Sequence, residues 1–267
     1  MWYNNAEEFK AGCGYDVNGA WFPRVTKVLE IKSKPGLEAF WKEVGHFSQA
    51  EEIKNKSAEH GSLVHSTVQR LVVGEGIEIP KEIAPAVAAF QEFNETRKIF
   101  FYPEFIERRV WSSRHRYAGT VDALAEIDGK FGVLDIKTST GFFPEYNLQT
   151  AAYVSALQEF DVKKMQGLPR DIQTRWILRI DQRRVCARCR GTLREKGGMR
   201  KIRPVSLGKG KKKDLCEEDM HEWGEVEGDV ALREFPYMHK DIKAFMAAKV
   251  LWEWENDYWL KQIGYIG

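Results

Sequence analysis

Residues 119–137 read Gly119-Thr120-Val121-Asp122-Ala123-Leu124-Ala125-Glu126-Ile127-Asp128-Gly129-Lys130-Phe131-Gly132-Val133-Leu134-Asp135-Ile136-Lys137. Over 120–127 the apolar pattern has period two. Val121, Ala123, Ala125 and Ile127 fall on one face, and Asp122, Leu124 and Glu126 on the other. Asp128-Gly129 is a strong two-residue hairpin turn, because both positions tolerate positive φ. The return strand is expected over 131–138. Side chains alternate along a strand, so Phe131, Val133, Asp135 and Lys137 share one face. The hairpin thus brings a carboxylate from each strand toward one point, with a lysine beside the second. Hard cations such as Mg²⁺ and Mn²⁺ take oxygen ligands and retain waters, so two carboxylates and a backbone carbonyl suffice as the protein's share. An ammonium on the same face can orient a water and stabilise developing negative charge. The plain alternative is an acid and a lysine paired on a sheet surface.

Around this hairpin the chain reads as mixed α/β. The first twenty residues carry Gly12, Gly14 and Gly19 without periodicity and are expected to be irregular. Short helical turns are expected over 25–31 and a helix over 36–44. A longer helix is expected over 57–73, where Val64, Val68, Leu71 and Val72 form an amphipathic stripe that ends at Gly74 and Gly76. A further helix follows over 81–98 and a strand over 105–111, which contains Glu107. After the hairpin come a helix over 146–160 and strands over 174–180 and 230–235. The last helix, over 239–260, carries Phe245, Trp252 and Trp259 at intervals of seven. His115, between Arg114 and Arg116, reads as an exposed turn residue.

The chain has 267 residues, 43% of them hydrophobic and 30% charged, which places it among folded globular proteins rather than disordered chains. No window approaches the roughly eighteen apolar residues of a membrane span. Residues 1–10 lack a basic segment followed by an apolar run, so no secretory signal is expected. With four cysteines, two of them in a C-x-x-C pair, a reducing cytoplasmic setting is expected rather than a disulfide framework. No G-x-x-x-x-G-K-[ST] occurs, which leaves an ATPase or helicase reading without support. The net charge of +2 is unevenly spread. Residues 183–213 hold thirteen Lys or Arg against one acid, Glu195, and the rest of the chain holds 28 bases against 38 acids. Such a block is either a solvated loop or an electrostatic footprint for nucleic acid. Its change of composition marks 183–228 as an insertion, between a core made of 1–182 and 229–267.

Further residues join the hairpin acids. Gln149 and Tyr153 are i and i+4 on the following helix and share a face. Upstream, Gly61-Ser62-Leu63-Val64-His65 sets a histidine beside the helical stripe. In this order, G-x-x-x-H, G-x-x-D, D-x-K and Q-x-x-x-Y resemble the RecB-like branch of the PD-(D/E)XK nucleases. Pro23-Arg24-Val25-Thr26-Lys27-Val28-Leu29 and the Trp-rich last helix are similar to phage-type nucleases of that branch and to mitochondrial genome maintenance exonucleases. The resemblance covers roughly 22–180 and 230–260. Thr120-Val121 stands where the family name has a proline.

The resemblance implies a restriction-endonuclease-like fold, a mixed β-sheet flanked by helices, and a metal-dependent DNA nuclease, an exonuclease acting on ends or single strands. It implies Mg²⁺ or Mn²⁺ bound by Asp122, Asp135, the Ile136 carbonyl and His65. Lys137 would position or activate the water, Glu107 would support the site, and Gln149 and Tyr153 would contact the DNA backbone. A phage or bacterial context and a recombination or replication protein as partner go with it. Lys209, Lys211, Lys212 and Lys213 are further DNA contacts expected from the basic block. A non-catalytic nucleic-acid-binding module on a nuclease-like scaffold is the competing reading.

Cys186 and Cys189 resemble half of a zinc knuckle, and Cys216 and His221 could complete four ligands for Zn²⁺ across a 26-residue gap. An iron–sulfur cluster, held in some RecB-like nucleases by one cysteine before the domain and three after it, would here use Cys13 with the other three. Unligated thiols are the third reading.

Overall fold

The computed structural model describes residues 3–33, 35–208 and 211–267. The N-terminal part contains α1 (Ala6–Cys13), a hairpin of β1 (Gly14–Val17) and β2 (Ala20–Pro23), α2 (Val25–Val28), α3 (Pro35–Val44), α4 (Phe47–Val72) and α5 (Ala84–Arg97). Then come β3 (Phe100–Phe101), β4 (Arg108–Ser112), β5 (Tyr117–Val121), β6 (Ala123–Ile127) and β7 (Lys130–Lys137). Helices α6 (Pro144–Leu157) and α7 (Phe160–Gln166) lead to β8 (Thr174–Val185). The basic segment forms β9 (Thr192–Lys196), β10 (Met199–Arg203), β11 (Ser206–Gly208) and β12 (Lys211–Lys212). Strand β13 (Glu227–Glu234), α8 (His239–Glu255) and α9 (Asp257–Gln262) complete the order.

The β6–β7 hairpin forms as expected, with Ala123 opposite Leu134 and Ile127 opposite Lys130. Asp128 and Gly129 both have positive φ, 51° and 77°, as its tight turn requires. The helices α6 and α7 carry the chain across, so β8 lies parallel to β7, and β13 pairs antiparallel with β8. The sheet is therefore mixed, in the order β10-β9-β8-β7-β6-β3 with β13 also on β8. Both faces are covered. Leu124, Phe131 and Val133 pack with Val28 of α2, Ala152 and Tyr153 of α6, and Phe245 and Trp252 of α8. Ala123, Ala125, Leu134, Ile136 and Leu178 pack on the other face with Val64 and Val68 of α4 and Val87 and Phe90 of α5. Each large aliphatic or aromatic side chain so buried is worth roughly 1.5–3 kcal/mol.

Four expectations are corrected. The first twenty residues are not irregular: α1 and the β1–β2 hairpin are held by stacking of Phe9 on Trp252 and Trp259, partners far along the chain. The strand expected over 120–127 is broken at Asp122, where the chain leaves the β4–β5 ladder and enters the β6–β7 ladder. Glu107 does not lie in a strand. It precedes β4 with φ of 51°, a left-handed conformation that costs a non-glycine residue of order 1–3 kcal/mol. The boundary placed after residue 182 falls inside β8, and β13 begins at Glu227, so the basic segment is hydrogen-bonded into the sheet at both ends.

Candidate functional site

Asp122 is a pivot between two ladders. Its carbonyl accepts the Glu107 N–H (3.1 Å), the last link toward β4. Its Oδ2 accepts the Ile136 N–H at 2.6 Å, where β6 has turned away from β7. Asp122 is thus tied through its backbone toward β4 and through its carboxylate to β7, while one side of the carboxylate remains turned toward α4. There His65 Nε2 stands 3.1 Å from Oδ2 and His65 Nδ1 stands 3.9 Å from Glu107 Oε1. His65, Glu107 and Asp122 offer ligand atoms all within 4.8 Å of one another. Gln69, one helical turn beyond His65, donates its amide to Glu107. The His65-x-x-x-Gln69 spacing carried that signal, although Gln69 was not singled out from the sequence.

Asp135 lies on the α6 side of β7 and is fully buried. Gln149 donates to its Oδ1 at 3.0 Å and also contacts the Tyr153 hydroxyl at 3.0 Å. Asp135 Oδ2 faces the Lys137 ammonium at 2.8 Å. The Lys137 ammonium also lies 5.1 Å from the centre of the Tyr146 ring, an attractive placement for a cation.

Two glycines allow this approach. A Cβ on Gly119 would sit 2.3 Å from the Tyr153 ring, so the G of G-x-x-D makes room for the tyrosine that steadies Gln149. A Cβ on Gly61 would sit 2.5 Å from Thr138 Oγ1, so the G of G-x-x-x-H lets α4 approach the end of β7.

The charges are strongly coupled. Burial opposes ionisation of Asp122, but His65, Lys137 and the Ile136 N–H outweigh it and hold its pKa below the usual range. Burial, with Asp122 adding to it, raises Asp135 to about 7 against the pull of Lys137. Burial would lower His65, but the Asp122 and Glu107 carboxylates raise it. Burial also opposes a charged Lys137, and Asp135 and Asp122 reverse that and raise it. The Asp122 and Glu107 carboxylates beside the His65 ring nitrogens form a donor set that suits a divalent cation of hard or borderline character, with Asp135 coupled to Asp122 by charge but not in that cluster.

Tyr153 differs from its expected role. It is 2% exposed in the core, with its hydroxyl bonded to Gln149, and cannot touch a DNA backbone. Gln149 is half-buried and holds Asp135. Ile136, expected to offer its carbonyl to a cation, donates its N–H to Asp122 Oδ2.

Lys211 and Lys213 are exposed on and beside β12, whose backbone also includes Lys212, while Lys209 lies outside the described residues. Other basic residues come closer to the site. Lys196 Nζ and Arg194 Nη2 both donate to the Thr138 carbonyl, at 2.7 and 3.2 Å, directly after Lys137. A pocket lined by apolar Leu37, Phe40, Ile53 and Met199 together with Lys54, Thr140, Arg194, Lys196, Lys201 and Arg203 lies beside this point.

Cys186, Cys189, Cys216 and His221 also converge, their ligand atoms all within 4.8 Å of one another. Cys13 is not among them. It is buried against the Tyr3 hydroxyl at 2.9 Å in the apolar core, which removes the four-cysteine cluster expected with it.

No described helix is long and apolar enough to cross a membrane. Compared with protein-family models and with curated proteins, the chain finds no match.

Proposed function

We infer that this chain is a divalent-metal-dependent nuclease on a restriction-endonuclease-like sheet, an exonuclease hydrolysing phosphodiester bonds at DNA ends or in single strands. The observation that carries this reading is the meeting of His65 from α4, Glu107 ahead of β4 and Asp122 at the β5–β6 break, with the Asp135–Lys137 pair of β7 coupled to Asp122 by charge. Asp122 and Asp135, with His65 and Glu107, would hold Mg²⁺ or Mn²⁺. Such an ion supplies Lewis acidity, which makes a water more nucleophilic and neutralises phosphate charge. Lys137 can hold the attacking water by a hydrogen bond and place a positive charge where the pentacoordinate phosphate becomes more negative. Gln149 fixes the Asp135 carboxylate, and Tyr153 fixes Gln149. Lys54, Arg194, Lys196, Lys201 and Arg203, set among the apolar residues of the pocket beside Thr140, are basic groups that suit a phosphate backbone.

The test is an assay on end-labelled single-stranded DNA, double-stranded DNA and RNA with Mg²⁺, with Mn²⁺ and with a chelator. Shortening of labelled DNA that needs the cation and stops with chelator is expected. No cleavage of any substrate under any of these conditions would remove the nuclease reading. A binding module without catalysis has no reason to bind Mn²⁺ at the acids, so calorimetric titration with Mn²⁺ separates the two readings.

Protons compete for this site, and the sign follows from the shifts. His65, with a raised pKa, must lose its proton to ligate, and Asp135 is protonated below about 7. Mn²⁺ affinity is therefore expected to weaken as pH falls through neutrality, with protons released on binding at and below it, where these groups still carry them. His65→Ala should lose more affinity for Mn²⁺ than for Mg²⁺, because imidazole is the softer ligand. Calorimetry in buffers of differing ionisation enthalpy measures both; affinity independent of pH would exclude these groups as ligands.

DNA binding is expected to weaken steeply with salt. Neutralising Lys209, Lys211, Lys212 and Lys213 should reduce the slope of log K against log salt by roughly 0.7–0.9 for each lysine that had paired with a phosphate. An unchanged slope assigns them to a solvated loop and leaves Lys196, Lys201 and Arg203 as the residues to vary next.

A further inference from the structure

We propose that Cys186, Cys189, Cys216 and His221 bind one structural Zn²⁺, which pins the basic arm beside the candidate active site. The four ligand atoms come from two separate stretches of chain. Cys186 and Cys189 lie in a knuckle directly after β8, and Cys216 and His221 flank a short 3-10 turn, Glu218–Met220. Cys189 Sγ stands 3.6 Å from His221 Nδ1. Two tetrahedral ligands at about 2.3 Å for sulfur and about 2.0–2.1 Å for nitrogen lie roughly 3.5 Å apart, so this edge already has the length a zinc tetrahedron needs.

The surrounding backbone is built for the same end. Within the knuckle, the Cys186 N–H donates to the Gly191 carbonyl (2.9 Å), the Arg190 N–H to the Cys186 carbonyl (3.0 Å) and the Gly191 N–H to Cys189 Sγ (3.3 Å). N–H donors directed at cysteine sulfur stabilise a thiolate. The returning chain is registered against the knuckle by Ala187 N–H to the Glu222 carbonyl (2.8 Å) and Gly224 N–H to the Val185 carbonyl (3.1 Å). His221 stacks on Trp223, ring centres 4.4 Å apart, which orients its imidazole. None of the four cysteines of the chain is in a disulfide.

The arm needs such a brace. Among the described residues of 187–226, only Cys189, Gly191 and Leu193 are buried. A segment of that length without an apolar core does not hold a fixed shape by burial alone. Only two residue pairs, Arg184 with Leu193 and Val185 with Thr192, join β9 to β8. Yet this arm delivers Lys196 and Arg194 to the Thr138 carbonyl. Three soft thiolates and an imidazole select Zn²⁺ over the hard cations suited to the carboxylate site.

The intact chain, purified without added metal, tests the proposal. Elemental analysis should find one zinc per chain, released when a mercurial reagent blocks the thiols. Expression with cobalt should give the ligand-field and thiolate charge-transfer bands of a tetrahedral sulfur-rich site, which the sulfur-free His65–Glu107–Asp122 group cannot produce. Cys189→Ser and Cys216→Ser should each abolish those bands. Because a variant could misfold, trypsin is also applied to the wild-type chain with and without zinc. Cuts confined to 187–226 should appear on zinc removal, while α4 and β7 stay protected. No bound zinc, an iron chromophore, a Cys186–Cys189 disulfide, or zinc and cobalt bands retained in Cys216→Ser would each overturn the site. A tryptic pattern unaffected by zinc removal would overturn the bracing role.

Discussion

Asp135→Asn and Lys137→Ala are each expected to lower phosphodiester cleavage by roughly 10²–10³-fold, the effect of removing one group that stabilises transition-state charge. Asp135 has no exposed surface, and its two oxygens have different neighbours, the Gln149 amide on one side and the Lys137 ammonium on the other. An asparagine there sets an N–H₂ against one of these two donors whichever way it turns, and it removes a proposed cation ligand. Lys137→Ala leaves the carboxylates in place and removes the positive charge beside them. Both variants should retain the wild-type circular dichroism spectrum and DNA affinity, so the loss should lie in single-turnover rate rather than in binding. Gln149→Ala acts through Asp135 and should lose less. Wild-type turnover by Asp135→Asn or Lys137→Ala would remove the proposed active site.

The parts of this site that could be read in advance were those set by local spacing. Alternation over 131–138 and the Asp128-Gly129 turn put Asp135 and Lys137 on one face, and β7, Lys130–Lys137, follows that reading within one residue at each end. The stripe of Val64 and Val68 placed α4 against the sheet and left His65 at its edge. The break at Asp122 escaped because both faces of the sheet are covered. Val121 and Leu124 are buried on one side and Ala123 on the other, so the apolar pattern continues through the point where the backbone changes partners. Tyr153 was misplaced because i, i+4 spacing gives a shared face but not whether that face meets solvent or core. The left-handed Glu107 depends on contacts between distant stretches, which no local period encodes, whereas Cys186, Cys189, Cys216 and His221 could be named from ligand type and C-x-x-C spacing, and the fold brings them together. The nuclease reading itself came from the order of four short motifs, and cation-dependent cleavage decides its chemistry.

The largest expected effect on stability lies away from the acids, at the joint between β8 and α8. Arg175 is 1% exposed, and its Nη2 bonds the Asp241 carboxylate and the Tyr237 carbonyl, the latter at 3.0 Å. Its Nε and Nη1 have no hydrogen-bond partner among the described residues, so Asp241 supplies most of the compensation for the buried charge. Burial lowers the Arg175 pKa and Asp241 raises it in return. Asp241→Ala would leave a buried cation without its counter-charge, a change that typically costs about 3–5 kcal/mol. Against a total stability of roughly 5–15 kcal/mol, that is a large share. Arg175→Met should be close to neutral, since a well-packed apolar side chain can replace a buried ion pair at little cost. Asp241→Ala made in the Arg175→Met background should then cost less than about 1 kcal/mol, because no stranded charge remains. Urea unfolding of the four proteins of this cycle measures the coupling directly. Equal costs of Asp241→Ala in both backgrounds would show that the carboxylate acts on α8 itself and not through Arg175.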